Sequence, residues 1–198
     1  MTESHDLDNL IYRNQLLSQE IRRRVDQMSA INTVAAAVSQ SLDLDRTLDT
    51  ALDAVLGIIH VDSAGISLVD DAANELVMRA QRGWRYDFVT TPMRIPLGHG
   101  MSGIAVTNDE VVITTGELTN DPRLAVPAFA YEGVQAMVLA PMHARGRVVG
   151  ILSVMNHQPY QFTEDEVAVL RVIADQVGVA LDNARLYDRL KSELAERE

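Results

Sequence analysis

Residues 135–162 constrain the fold of this chain more than any other stretch. Two apolar runs, 136–142 and 148–155, flank the polar connection His143-Ala144-Arg145-Gly146-Arg147, in which Gly146 supplies the positive φ that a reversal needs. The pattern predicts a β-hairpin. Both runs are almost continuously apolar instead of alternating, so both faces of the sheet they belong to must be covered. One cover follows directly: Thr163 with Glu166 three residues on forms a capping box, opening a helix that meets no proline before Glu198.

Upstream, Asp43 is placed to cap a helix whose Leu44, Leu48, Ala51, Leu52, Val55, Leu56 and Ile59 fall on one face. Residues 64–69 and 75–81 read as two strands joined by a turn at 70–74. A short third strand at 93–97 contains Pro96, which predicts a strand end or a sheet edge. The run Gly98-His99-Gly100-Met101-Ser102-Gly103 follows, opening a helix to about Asn108. Its spacing imitates a phosphate loop, yet neither a βαβ unit nor a suitably placed acid accompanies it, so its glycines are expected to serve close backbone packing. A strand at 111–115 leads into a connection over 116–132, too long for a plain turn, with a turn at Asp121-Pro122 and a short helix expected at 124–131.

These features together resemble a GAF domain. The hairpin, Asn156, Phe162 and the capped terminal helix match the C-terminal half of that family, and residues 41–71 and 98–125 match its opening helix, first strand, central helix and pocket loop. The implied fold is α+β, a GAF-like (PAS-like) antiparallel sheet of about six strands with helices on both faces and long coiled-coil-type helices at both ends. The expected divisions are an N-terminal coiled-coil helix over 1–42, a sensor domain over 43–162, and a C-terminal signalling helix over 163–198. The pocket of such a domain lies under the 98–132 segment. Its expected ligand-binding residues are Trp84, His99, Met101, Asn120, Arg123, Phe129 and Tyr131, with Phe129 and Tyr131 serving equally well as pins that hold the loop to the sheet.

All six prolines fall between Pro92 and Pro159, which favours helix at both ends of the chain. Positions Leu10, Asn14, Leu17, Ile21, Arg24, Met28, Ile31, Ala35, Val38 and Leu42 alternate spacings of four and three, a heptad seam with two polar entries. Such a seam either pairs with a second copy or folds back on its own domain. The terminal helix carries Leu170, Ile173, Ala174, Val177, Ala180, Leu181, Ala184, Tyr187 and Leu194 on one face and, at 1.5 Å per residue, extends about 50 Å, more than one domain covers. A parallel homodimer is therefore expected, with Leu10, Asn14, Leu17, Ile21, Met28, Ile31, Val177, Leu181 and Ala184 at its interface. The apolar pattern stops abruptly at the end of the chain, as a linker into an effector such as a kinase domain would.

Composition closes off several chemistries. The chain has no cysteine, which excludes disulfides, thiolate nucleophiles, Cys-ligated zinc and the covalent bilin attachment of some GAF relatives, together with the cysteine chemistry of free methionine sulfoxide reductases. The net charge of −11 opposes nucleic-acid binding, and the single lysine, Lys191, is far from any Schiff-base or phosphate-loop position. None of the five histidines lies three or four residues from another, so no metal site within one element is expected; His143 and His157 read as exposed, and His99 is the one candidate contact for a haem. The cyclic-nucleotide signature of the family has Asn156, Phe162 and Asp165-Glu166 as counterparts, but His157 replaces its lysine and one residue is missing before the acidic pair. The resemblance thus implies a cytoplasmic signalling sensor of a two-component system or similar pathway, for an unidentified small molecule or protein signal, without catalysis or a membrane span of its own. Two alternatives stay open: a ligand-free dimerisation relay, and a haem or other noncovalent-cofactor sensor.

Overall fold

The computed structural model describes residues 12–22, 25, 28, 29, 32, 36, 43–116, 118, 121–124 and 132–195, the last eight as backbone course only. In chain order the elements are helical residues 12–22 (α1), α2 Leu44–Ile58, β1 Ser63–Asp70, β2 Glu75–Arg82, β3 Arg94–Pro96, α3 Gly100–Asn108, β4 Val112–Thr115, β5 Ala136–Ala144, β6 Arg147–Asn156 and α4 Glu164–Ala195. The six strands form one sheet in the order β3-β2-β1-β6-β5-β4, every neighbouring pair antiparallel. Pro96 ends an edge strand, where its missing N–H leaves no gap in a ladder.

Caps set the helix starts where the sequence placed them. The Asp43 carboxylate accepts the Arg46 N–H at 3.0 Å, and Thr163 and Glu166 hold each other's backbone N–H groups at 3.2 and 2.8 Å. The central hairpin turns more tightly than the five-residue connection expected from sequence. Ala144 and Arg147 are paired, leaving Arg145 and Gly146 at φ 50° and 75° as a two-residue turn whose twist suits the flanking strands.

Both faces of the sheet are covered. On one, Leu48, Leu52 and Val55 of α2 and Leu170, Ile173, Val177 and Leu181 of α4 pack on Ile66, Leu68, Val138, Met142, Leu152 and Val154. Each such side chain taken fully from water contributes about 1.5–3 kcal/mol. Val177, Leu181 and Ala184 are therefore committed to the protomer's own core, with exposures of 0, 1 and 0%. This corrects their assignment to a dimer seam, because a side chain already enclosed has no surface left for a partner. Tyr187, expected on the same apolar face, is exposed. On the opposite face α3 packs over β2, β3, β4, β5 and β6, with Met101, Ala105 and Val106 in the core, joined by Leu118, Leu124 and Val134 from the long connection. The short helix expected at 124–131 lies, beyond Leu124, outside the described residues.

Candidate functional site

The roofed face differs in chemistry from the face under α2 and α4. Met78, Met93, Met101, Met137 and Met155 all belong to it, and of the methionines among the described residues only Met28 and Met142 lie elsewhere. Thioethers on unbranched chains fill irregular gaps and reshape readily, a property of adaptable binding surfaces. The floor also contains Gly65, Ser67 and Ser153 at the sheet centre, with Gly65 opposite Ser153. Ser153 donates to the Gly65 carbonyl at 3.1 Å, and the Ser67 hydroxyl to the Met78 sulfur at 3.7 Å.

Gly65 exists for a close approach. A Cβ there would lie 2.9 Å from Cζ2 of Trp84 and 3.3 Å from Cε of Met78. The indole enters this gap, donates its N–H to the Ala64 carbonyl at 2.9 Å and meets Phe88 edge-on at 5.5 Å between centroids. Trp84, expected at the site, is thus part of its floor.

Thr114 marks the other side of the face. It pairs with Met137 and shares the inward side of β4 with Val112, which packs against the roofed core. Its side-chain oxygen is buried and has no hydrogen-bond partner among the described residues, in a residue only 6% exposed. A buried hydroxyl left unpaired is costly, by about 1–3 kcal/mol, and polar groups retained in that state merit a functional explanation.

Described residues on either side of 125–131 are held by hydrogen bonds. The Met101 N–H, an open donor at the start of α3, is accepted by the Arg123 carbonyl at 2.9 Å. Glu132, 1% exposed, accepts the backbone N–H groups of Arg85 and Tyr86, each at 2.9 Å. The remaining sequence candidates divide. Met101 is buried in the face. Arg123 is exposed, its guanidinium bound through two nitrogens to Asp121 at 3.0 and 2.7 Å. The hydrogen bonds from Arg123 hold the Asp121 carboxyl down at about 2. His99 is exposed, its Nδ1 lying 3.3 Å from the Leu97 carbonyl oxygen, so it is not part of the buried face. Asn120, Phe129 and Tyr131 lie outside the described residues, as do Leu10 and Ile31 of the expected dimer seam. Asn14, Leu17, Ile21 and Met28 are exposed on helical backbone.

The counterparts of the cyclic-nucleotide signature have structural work. Asn156 accepts the Asp62 N–H through Oδ1 at 2.9 Å, and the His157 N–H reaches the Asp62 carboxylate at 2.7 Å. Phe162 packs into the α2/α4 core, not the roofed face. His157 is not exposed as expected: its side chain is 17% accessible and its Nε2 is buried. Gly65, Ser153, Thr114 and Glu132 carry no motif, and only the strand register or a fold-back contact reveals them. Five inward methionines at strand and helix spacing were the one available sign. Among the described residues no cluster of three or more histidine or acidic side chains could hold a metal ion.

A six-stranded antiparallel sheet, packed under two helices on one face and roofed on the other by a short helix, defines an α+β module of the GAF-like fold. The chain belongs to the GAF family, whose domain model matches residues 41–182. It is 22% identical over 183 residues to the sensor histidine kinase YhcY of Bacillus subtilis, an alignment covering 89% of this chain and 48% of that protein. The chain thus spans about half the length of this curated relative. Among solved structures it is similar to the GAF domain of an Acinetobacter phosphoenolpyruvate-protein phosphotransferase, with a TM-score of 0.72 at 22% identity, covering 81% of this chain and 95% of that one. It is also similar to the free methionine-R-sulfoxide reductase of Neisseria meningitidis in complex with its substrate, with a TM-score of 0.68 at 20% identity, covering 81% and 91%. Family and relatives together place the chain as a sensory signalling domain.

Proposed function

We propose that this domain is the input part of a sensor histidine kinase or similar cytoplasmic regulator, that it binds a small molecule at the face roofed by α3, and that α1 and α4 relay the bound state within a parallel homodimer. The observation that carries the ligand reading is the roofed face itself: five methionines and two central serines, with the buried Thr114 hydroxyl unpaired beside them. A mostly apolar ligand with a hydrogen-bonding group would match that lining. The reading is regulatory, the output chemistry residing in an effector domain. A ligand bound here biases α4 only by the difference in its affinity for the two states of the domain.

The alternative of a ligand-free relay is favoured by one observation, the indole of Trp84 occupying the gap over Gly65. Native mass spectrometry of the purified protein, with its absorbance spectrum, distinguishes the two. A dimer carrying added mass that is lost in Thr114→Val supports the sensor. A dimer of bare sequence mass, unchanged after incubation with metabolite mixtures, supports the relay. A Soret band would revive the haem alternative.

A further inference from the structure

α3 and α4 lie on opposite faces of the sheet, and the His143 ring bridges them. His143 stands near the end of β5, where the register with β6 shifts between Met142 and His143. Its Nδ1 is 2.7 Å from Oδ1 of Asp175 on α4, and its Nε2 is 2.6 Å from Oδ1 of Asp109. Asp109 is the left-handed C-cap of α3, at φ 56° and ψ 47°. α4 makes a close approach at the same point: a Cβ at Gly178 would fall 2.5 Å from the His143 carbonyl oxygen. Helix end, sheet irregularity and helix contact thus meet at one residue, whose side chain is 38% exposed as the sequence suggests.

The two contacts impose a protonation state. A neutral imidazole has one N–H, and its other nitrogen presents a lone pair that repels a carboxylate at such a distance. Only the imidazolium donates to both aspartates at once. Burial works against the charged ring, but the hydrogen bonds and negative charges of Asp175 and Asp109 outweigh it and raise its pKa above the ordinary 6.5. Those two carboxylates are the charged groups acting on the ring; Arg145, two residues along the hairpin, is held by Asp182 at 2.7 Å.

We propose that Asp109, His143 and Asp175 form a proton-dependent clasp that couples the helix roofing the sensory face to the output helix. The clasp rests on the sensor reading for its biological use, but not for its existence. It is closed while the ring carries both protons. Because the folded-state pKa is raised, its contribution is present in full below 6.5 and is lost as pH rises through the folded value.

The test uses the full chain without ligand. Unfolding constants are measured in urea at pH 6 and pH 9 for Asp109→Asn, Asp175→Asn and the double variant, each with and without His143→Gln. Residues sharing one partner are non-additive. At pH 6 the double variant's unfolding constant should fall short of the product of the two single effects by at least about threefold, and the shortfall should vanish at pH 9 and in the His143→Gln background. Hydrogen exchange supplies a readout that mere local structure would not move: Asp109→Asn should speed exchange of α4 amides near Gly178, across the sheet from the substitution. Multiplicative effects at pH 6, coupling that survives His143→Gln, or α4 exchange unchanged in Asp109→Asn would each overturn the clasp. None of these outcomes depends on whether the roofed face binds a ligand, so a failed clasp and a failed sensor remain distinct results.

Discussion

Trp84 is the chain's only tryptophan, so its emission reports the candidate floor without interference. Gly65→Ala places a Cβ 2.9 Å from the indole and should destabilise the fold by about 1–3 kcal/mol, with a shift in Trp84 emission. Unchanged emission and stability would mean that the ring does not occupy the gap. Thr114→Val makes a prediction of opposite sign. Removing a buried hydroxyl that has no partner should leave urea stability unchanged or raise it by about 1 kcal/mol, while weakening any ligand that bonds to it. The sequence marked Trp84 and Met101 for this face through aromaticity and position. It could not mark Gly65 or Thr114, because a glycine under an indole and a hydroxyl opposite Met137 are properties of chain segments brought together, not of any window. Arg123 is paired with its neighbour Asp121, a contact set by two residues of one turn.

At the scale of elements, boundaries were legible wherever a side chain bonds its own helix end. Asp43 and the Thr163/Glu166 box are such cases. Thr163→Ala should lower stability by about 1 kcal/mol, read as a lower urea midpoint at unchanged slope. The box is also pH-dependent. Burial raises the Glu166 pKa, but hydrogen bonds from Tyr160 and Thr163 outweigh it and hold the group below 4.5. Its contribution is therefore complete above 4.5 and lost as pH falls through the folded value, and Glu166→Gln should flatten stability against pH in that range. Three positions of the expected dimer interface, Val177, Leu181 and Ala184, lie instead in the protomer's core. The heptad-like spacing of Val177, Leu181 and Ala184 is equally the spacing of a helix lying on a sheet, and period alone does not say which surface a helix faces.

For the whole molecule, the continuously apolar hairpin strands required two covers, and the fold supplies both. Among the described residues α1 stays open to water, its Tyr12, Leu16, Leu17 and Ile21 being 48–62% exposed. An apolar helix surface open to water gains from a second copy, as in the homodimer proposed above. Deletion of residues 1–40 should convert a dimer to a monomer or weaken it markedly in light-scattering measurements. A truncated protein that stays fully dimeric would remove the N-terminal seam from the account. No helix among the described residues is long and apolar enough to cross a membrane.

The measurement that bears most directly on the sensor reading is methionine-methyl NMR of the full chain, titrated with a panel of nucleotides, amino acids and aromatic metabolites. The methionines divide usefully, since Met78, Met93, Met101, Met137 and Met155 line the roofed face, Met142 lies in the opposite core and Met28 is on exposed helix. The account predicts that at least one panel member shifts the roofed-face methyls and leaves Met28 in place. Roofed-face methyls that no member moves would contradict it and leave that face as packed core in a ligand-free relay.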